Sequence, residues 1–460
     1  MVPRDPDIGQ LYRYTNEIDP ALRRPLVTIP GLLGSRLRVG KDGEFVWGGP
    51  NRISIDTGND RGAGLLALPV GDGTEPLSSL RDEIRPAGVL RRARAQVLFA
   101  QVQQEIYSNL VTALNSGGYE FSRTLEEERA RQGENPGSLE FPYDWRRDIV
   151  ESARELDDFI ERKAVQIERV RRERFGRSVP ADELRFDFVA HSMGGLVLRY
   201  WLMYGRQDLP ADGSLPELTW AGARRAACVV FVAPPNLGSI SAFDNLLTGR
   251  SFGPLQPFYR PALLATLPSL YQLMPRDRHQ RVTMSGNGSP VDSIYDADTW
   301  RQRGWGLFAS GEEEFISLVM PDAKSPAARQ DIAQRHMTRV LGRAEALHRA
   351  LDVPGTPRLT DLFLVVGTGL DTPAAATVDR DSGTATISAQ EEGDGVVLRA
   401  SALRDENQGG HVGTGPSRPI RYRTTLLLPG EHVEITASPV FADNLLHWLR
   451  DQPRARVSAG

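Results

Sequence analysis

Apolar and polar positions along the 460-residue chain fall into two periods, one of strands and one of helices. The run Pro25-Leu26-Val27-Thr28-Ile29 predicts a buried strand that enters a glycine-marked loop, Pro30-Gly31-Leu32-Leu33-Gly34-Ser35. Ile106, Leu110 and Leu114 recur every four residues before Gly117-Gly118, which predicts a helix stopped by glycine. Leu139 to Asp148 predicts a strand and turn, after which Leu156, Ile160, Ala164, Ile167 and Val170 mark one face of a long helix ending at Gly176. Leu184, Phe186 and Phe188 alternate with Arg185 and Asp187, a strand that runs into a sharp turn at His191-Ser192-Met193-Gly194-Gly195. An apolar helix resumes at Leu196 to Met203. Further strands are predicted at Cys228 to Val232, Leu362 to Val366 and Tyr422 to Leu428, with a closing helix from Phe441 to Leu449.

Strands alternating with helices predict a mostly parallel sheet covered on both faces, hence one α/β domain over 1–460. Two stretches break the alternation. Residues 45–95, rich in Gly, Pro and Asp, are expected to be an irregular excursion bearing Trp47. Residues 236–355, with no strand of comparable quality and a helix around Ile332 to Leu351, are expected to form a cap and lid insertion. Residues 451–460 are expected to be a disordered tail.

Composition narrows the function classes. With 40% hydrophobic and 25% charged residues the chain has the makings of a large core, and its formal charge of −4 offers no bulk field for nucleic acid. The arginine-rich stretches at 91–94 and 169–174 carry interleaved acids or helical spacing and are expected to be solvated faces. A single cysteine, Cys228, excludes intramolecular disulfides and cysteine-based metal clusters. No phosphate-binding loop, dinucleotide fingerprint or metal-ligand spacing occurs, so no cofactor is expected. Without a signal-peptide pattern or a long apolar span, the expected location is the cytoplasm. Nothing in the sequence specifies an oligomeric state.

Chemistry enters at Ala190-His191-Ser192-Met193-Gly194. This is a G-x-S-x-G nucleophile elbow with Ala first, set between a predicted strand and a predicted helix as the motif requires. His191 is too close in sequence to act as the base, because neighbouring side chains on a sharp turn diverge; a packing role is expected. In the serine, acid, histidine order of α/β-hydrolases the base follows the last strand, where His432 stands in Leu428-Pro429-Gly430-Glu431-His432, with His411 as the alternative. For the acid, Asp394 in Gly393-Asp394-Gly395 competes with Asp371 in Gly369-Leu370-Asp371, and spacing alone leaves both open. An oxyanion hole needs two backbone donors. Met193 would supply one, and Leu32 or Leu33 in the glycine-flanked loop the other. Asp144-Trp145-Arg146 fits either a site-lining segment or a buried structural turn.

The motifs PGLLGSRL (30–37), VWGG (46–49), FPYDWR (141–146), AHSMGG (190–195), LPSLYQLMP (267–275), GDGVV (393–397) and LPGEH (428–432) occur together and in order. In this combination the chain resembles the lecithin:cholesterol acyltransferase family, which also holds lysosomal phospholipase A2 and phospholipid:diacylglycerol acyltransferases. The resemblance implies an α/β-hydrolase fold with cap and lid, and acyl-ester chemistry on lipids through Ser192, Asp394 and His432, which decides for Asp394 over Asp371. It also implies that Trp47 matches a tryptophan of a lid or membrane-contacting region. The chain departs from the family at Val396, where Thr is usual, and in lacking the cysteines that staple the Trp-bearing loop of secreted animal members.

The expected activity is hydrolysis of lipid acyl esters, as a phospholipase A or lipid esterase. The alternatives are transfer of the acyl group to an alcohol and an inactive binding scaffold. The partners expected are the lipid ester itself and, transiently, a membrane or micelle surface. The segment Asn236 to Ala262 aligns by order with the family's lid, and Leu246, Leu247 and Phe252, with Trp47, are the expected substrate-binding side chains.

Overall fold

In the computed structural model residues 23–451 are described, apart from 51–53, 98–99, 106, 120, 122–136, 252–256, 280 and 407–419. Six short strands form one sheet: β1 (Leu26–Ile29), β2 (Ser138–Glu140), β3 (Phe186–His191), β4 (Ala226–Val232), β5 (Asp361–Thr368) and β6 (Thr424–Pro429). Their order is β6-β5-β4-β3-β1-β2 and every pairing is parallel. β3 and β4 are buried at every position because helices cover both faces, as their nearly unbroken apolar sequences require. This is the α/β-hydrolase fold.

The helices end where their sequences say they should. α1 (Ser108–Ser116) stops at Gly117. α2 (Ile149–Phe175) starts at Asp148, whose carboxylate accepts from the Val150 N–H, and stops at Gly176 in the left-handed conformation. α3 (Met193–Tyr204) begins directly after Ser192. Further on come α4 (Ile240–Thr248), α5 (Pro326–Asp352) and α6 (Pro439–Leu446).

Two regions depart from the sequence reading. Residues 45–95 are not irregular throughout: Phe45–Trp47 and Ile84–Val89 join Ser35–Val39 in an antiparallel sheet, and a helix spans Asp60–Leu66. Arginine, proline and glycine within these strands hide them from a propensity reading, and pairing between distant segments forms them. Between β5 and β6 an antiparallel hairpin, Leu370–Val378 with Ala385–Gly393, carries the chain out from the sheet and back. Thr372, Ala374, Ala376 and Val378 are the buried positions of its first strand, and the second exposes Thr386, Ser388, Gln390 and Glu392, so neither shows a strong strand signal. His411, Phe252 and residues 452–460 lie outside the described residues.

Candidate active site

Three side chains converge at the carboxyl end of the sheet, where open α/β sheets bind ligands. Ser192 sits at the turn from β3 to α3 with φ +55° and ψ −128°, a strained backbone for a non-glycine residue. The turn is possible because Gly194 lies against the Ile29 and Pro30 carbonyls: a Cβ there would come within 2.4 Å of the Pro30 oxygen. The Ser192 N–H donates to the Val232 carbonyl at 2.8 Å, fixing the elbow to β4.

His432 follows β6 directly, and its Nε2 lies 2.8 Å from Ser192 Oγ. Its Nδ1 lies 2.8 Å from Asp394 Oδ2, and its backbone N–H donates to the Asp394 carbonyl at 3.0 Å. The other carboxylate oxygen of Asp394 accepts from the Val396 and Val397 N–H groups at 3.1 and 2.7 Å. Burial opposes charge on Asp394, but the His432 ring and these backbone donors outweigh it and hold the carboxyl below its ordinary range. An ionised Asp394 accepts the Nδ1 proton of His432, so Nε2 is free to accept from Ser192. The hairpin explains the acid's place: it returns the chain to the end of β5, where a Cβ on Gly367 would meet the Asp394 Cβ at 2.5 Å. Asp371 points to solvent on the hairpin, opposite Glu392.

The loop 30–35 passes in front of Ser192. A Cβ on Gly31 would lie 2.7 Å from the serine Cβ, so only glycine permits this approach. Leu33 takes a left-handed φ of +63°, and Gly34 closes the turn by donating to the Gly31 carbonyl at 3.0 Å. Aromatic side chains from three other segments grip the loop. Tyr143 donates to the Pro30 carbonyl (2.9 Å), Trp145 to the Ser35 carbonyl (3.1 Å) and Trp47 to the Leu33 carbonyl (2.7 Å), while Tyr107 accepts from the Gly31 N–H (2.8 Å). Met193, the first residue of α3, follows Ser192 directly, and its N–H belongs to the first turn of the helix, which lacks intrahelical acceptors.

A cavity of about 600 Å³ opens over Ser192 and His432. Leu32, Leu33, Leu270, Leu273, Val396 and Val433 supply apolar wall, and Ser239, Ser241, Asn245 and Arg250 a polar one. Trp47 lines the cavity but is 3% exposed, edge-on to the Trp145 ring, and is no membrane-facing residue in this conformation. Leu246 is not in the wall: the amphipathic α4 turns it into the core, and its neighbour Leu247 packs against the same core. The cavity side of α4 is instead Ser241, Ala242 and Asn245. Asp144-Trp145-Arg146 is a buried turn, with Arg146 fully enclosed between Asp144, Asp82 and the backbone carbonyls of 65–67.

Residues 83–299 match the sequence model of the lecithin:cholesterol acyltransferase family. Over that stretch the chain is similar to the family. That match, on an α/β-hydrolase fold, supports an enzyme of lipid acyl esters, a hydrolase or an acyltransferase. No curated protein matches it. Among solved structures, the Tle4–Tli4 complex is similar at 14% identity and a TM-score of 0.54, covering 93% of this chain and 98% of that one, which supports the fold. EstA from Clostridium botulinum aligns at 13% identity and a TM-score of 0.36, over 94% of this chain and 88% of that one. Staphylococcus hyicus lipase aligns at 14% identity and a TM-score of 0.35, over 95% and 96%. The side chains at this site that the sequence left without a role are Tyr107 and Tyr143. The motif FPYDWR contains Tyr143 and Trp145, but only the fold shows that both reach the loop at 30–35. Tyr107 carried no signal at all.

Proposed function

We propose that the protein hydrolyses acyl esters of lipids through a Ser192-His432-Asp394 triad. The observation that carries this reading is the unbroken chain Ser192 Oγ, His432 Nε2, His432 Nδ1, Asp394 Oδ2, with 2.8 Å at both links, at the floor of a cavity with a largely aliphatic wall. His432 takes the Ser192 proton as the oxygen attacks the ester carbonyl, and Asp394 stabilises the resulting imidazolium. The Met193 N–H and an N–H of Leu32 or Leu33 hold the oxyanion. The imidazolium then protonates the leaving alkoxide, and His432 activates a water that frees the acid from the acyl-enzyme. The aliphatic wall suits an acyl chain, and the serines, Asn245 and Arg250 suit a polar alcohol portion.

The test is turnover of mixed phospholipids and neutral esters with and without an alcohol acceptor, read by mass spectrometry. Free fatty acid is expected as the main product. Ester of the added alcohol as the main product would make the protein a transferase using the same intermediate. Ser192→Ala should lose about 10⁴- to 10⁶-fold in rate and all labelling by a fluorophosphonate. Labelling that survives this substitution would place the nucleophile elsewhere.

A further inference from the structure

Tyr107 precedes α1, far in sequence from Ser192, and its side chain is buried at 4% exposure. Its hydroxyl has two partners: the Gly31 N–H at 2.8 Å and His191 Nδ1 at 2.9 Å. His191 Nε2 in turn lies 2.9 Å from the backbone carbonyl of His432. These contacts form one buried path from the loop at 30–35 to the backbone of His432.

Every proton on this path has a determined position. The His432 carbonyl can only accept, so His191 Nε2 carries a hydrogen and donates. Burial, and secondarily the neighbouring His432, drive the His191 pKa down to about 3, so the ring is neutral and Nδ1 has a lone pair. Nδ1 must then accept, and the Tyr107 O–H must donate to it. The phenol oxygen in turn accepts from Gly31. The reverse arrangement fails: a hydrogen on His191 Nδ1 would leave the phenol proton without an acceptor among its partners, a costly state for a buried hydroxyl.

We infer that Tyr107 is a positioning residue, acting through His191, that sets the oxyanion loop and the His432 backbone in register with each other. The inference rests on the triad reading above and goes further, since it assigns a role to a side chain that touches none of the reacting atoms. Oxyanion stabilisation depends on donors held within tenths of an ångström of the developing charge. A phenol that holds Gly31 holds the peptides that follow it, while His191 holds the residue whose ring takes the proton. Tyr107 is itself fixed, because its backbone N–H donates to the Arg91 carbonyl at 3.0 Å and its ring meets the Gly34 side of the loop, where an added Cβ would come within 2.9 Å.

The test is Tyr107→Phe in the full chain, assayed with a soluble short-chain ester alongside wild type, Ser192→Ala and Tyr204→Phe. Tyr204 also donates a buried phenol bond, to the Ala350 carbonyl at 2.8 Å, and lies at the far end of α3. Tyr107→Phe should lower kcat about 10- to 100-fold with KM within about two-fold, a fraction of the loss on deleting an oxyanion donor. Tyr204→Phe should keep kcat whatever it does to the melting temperature. Ring-nitrogen NMR on histidine-labelled protein, with His191→Asn for assignment, should find His191 neutral with its hydrogen on Nε2 in wild type, and no longer bonded at Nδ1 in Tyr107→Phe. A kcat within two-fold of wild type, an equal loss in Tyr204→Phe, or a wild-type His191 with its hydrogen on Nδ1 would each overturn the inference. Turnover by Ser192→Ala would bring down the triad reading alone, since the histidine spectrum still decides the hydrogen-bonded path.

Discussion

The two walls of the cavity are built in opposite ways from similar sequence. The loop at 30–35 and the segment 236–262 are both rich in glycine and proline, and both border Ser192. In the loop, four aromatic side chains bond to the backbone at Pro30, Gly31, Leu33 and Ser35, and the Leu90 N–H donates to the Gly34 carbonyl. Its conformation is over-determined, which is what a strained element next to a reaction centre requires. The segment 236–262 is held mainly through side chains and helix packing. Asn236 and Ser239 bond to the backbone at Ala402 and Val396, and α4 packs Phe243 edge-on against Trp300 and Trp305. Beyond Gly249, among the described residues, Arg250 and Ser251 pair with Tyr259 and Phe258, Tyr259 is buried edge-on to the Trp47 ring and bonds to Ser54, and the Phe258 carbonyl accepts from Thr57 while its side chain is 55% exposed. Glycine and proline permit a conformation; the partners of the backbone decide whether it is fixed.

Four substitutions sharpen this contrast. Gly31→Val drives a side chain into Ser192 and should cost at least about 10²-fold in kcat on every ester, comparable to losing an oxyanion donor. Near-normal activity would show that the loop does not hold the geometry on which the proposed oxyanion hole depends. Leu246→Ser should destabilise the fold by about 2–4 kcal/mol, read as a shift of the denaturation midpoint, because a fully buried leucine is replaced by a small polar group. Its specific activity on vesicles and on soluble esters should change in parallel; a loss confined to vesicles would return Leu246 to a substrate-binding lid. Trp47→Phe keeps a ring in the core but deletes the N–H held by the Leu33 carbonyl, and should lower kcat about 10-fold with KM nearly unchanged. A rise in KM for long-chain substrates alone would instead make Trp47 a lipid contact. Phe258→Ser is the mildest: vesicle activity should fall several-fold, at most about 10-fold, through lost apolar contact with aggregated lipid, and soluble-ester activity should hold. Equal activity on both forms would mean that the hairpin at 250–259 does not meet the lipid surface.

The central strands were legible because strands buried on both faces must be apolar throughout, and Leu26–Ile29, Phe186–His191 and Ala226–Val232 are nearly so. The ends of α1 and α2 were legible because glycine and Asp148 act within one turn. The antiparallel sheet around Trp47 and the hairpin 370–393 were not, since their strands gain stability from partners dozens of residues away or from polar faces in water.

Sequence alone made Ser192 stand out, because the elbow is a local device: small residues at 190 and 194 and a strand and helix on either side are all it needs. It also ordered serine, acid and histidine along the chain. Tertiary structure decided what depends on distance in space. A hairpin folding back on Gly367 set Asp394, and not Asp371, beside His432. The turn of α4 about its axis sent Leu246 inward and Asn245 to the cavity. Tyr107, Tyr143, Trp145 and Trp47 met the loop at 30–35 only once three separate segments had packed around it. Hydrogen bonds between residues far apart in sequence leave no periodicity or spacing to read, and in this protein they fix the oxyanion loop.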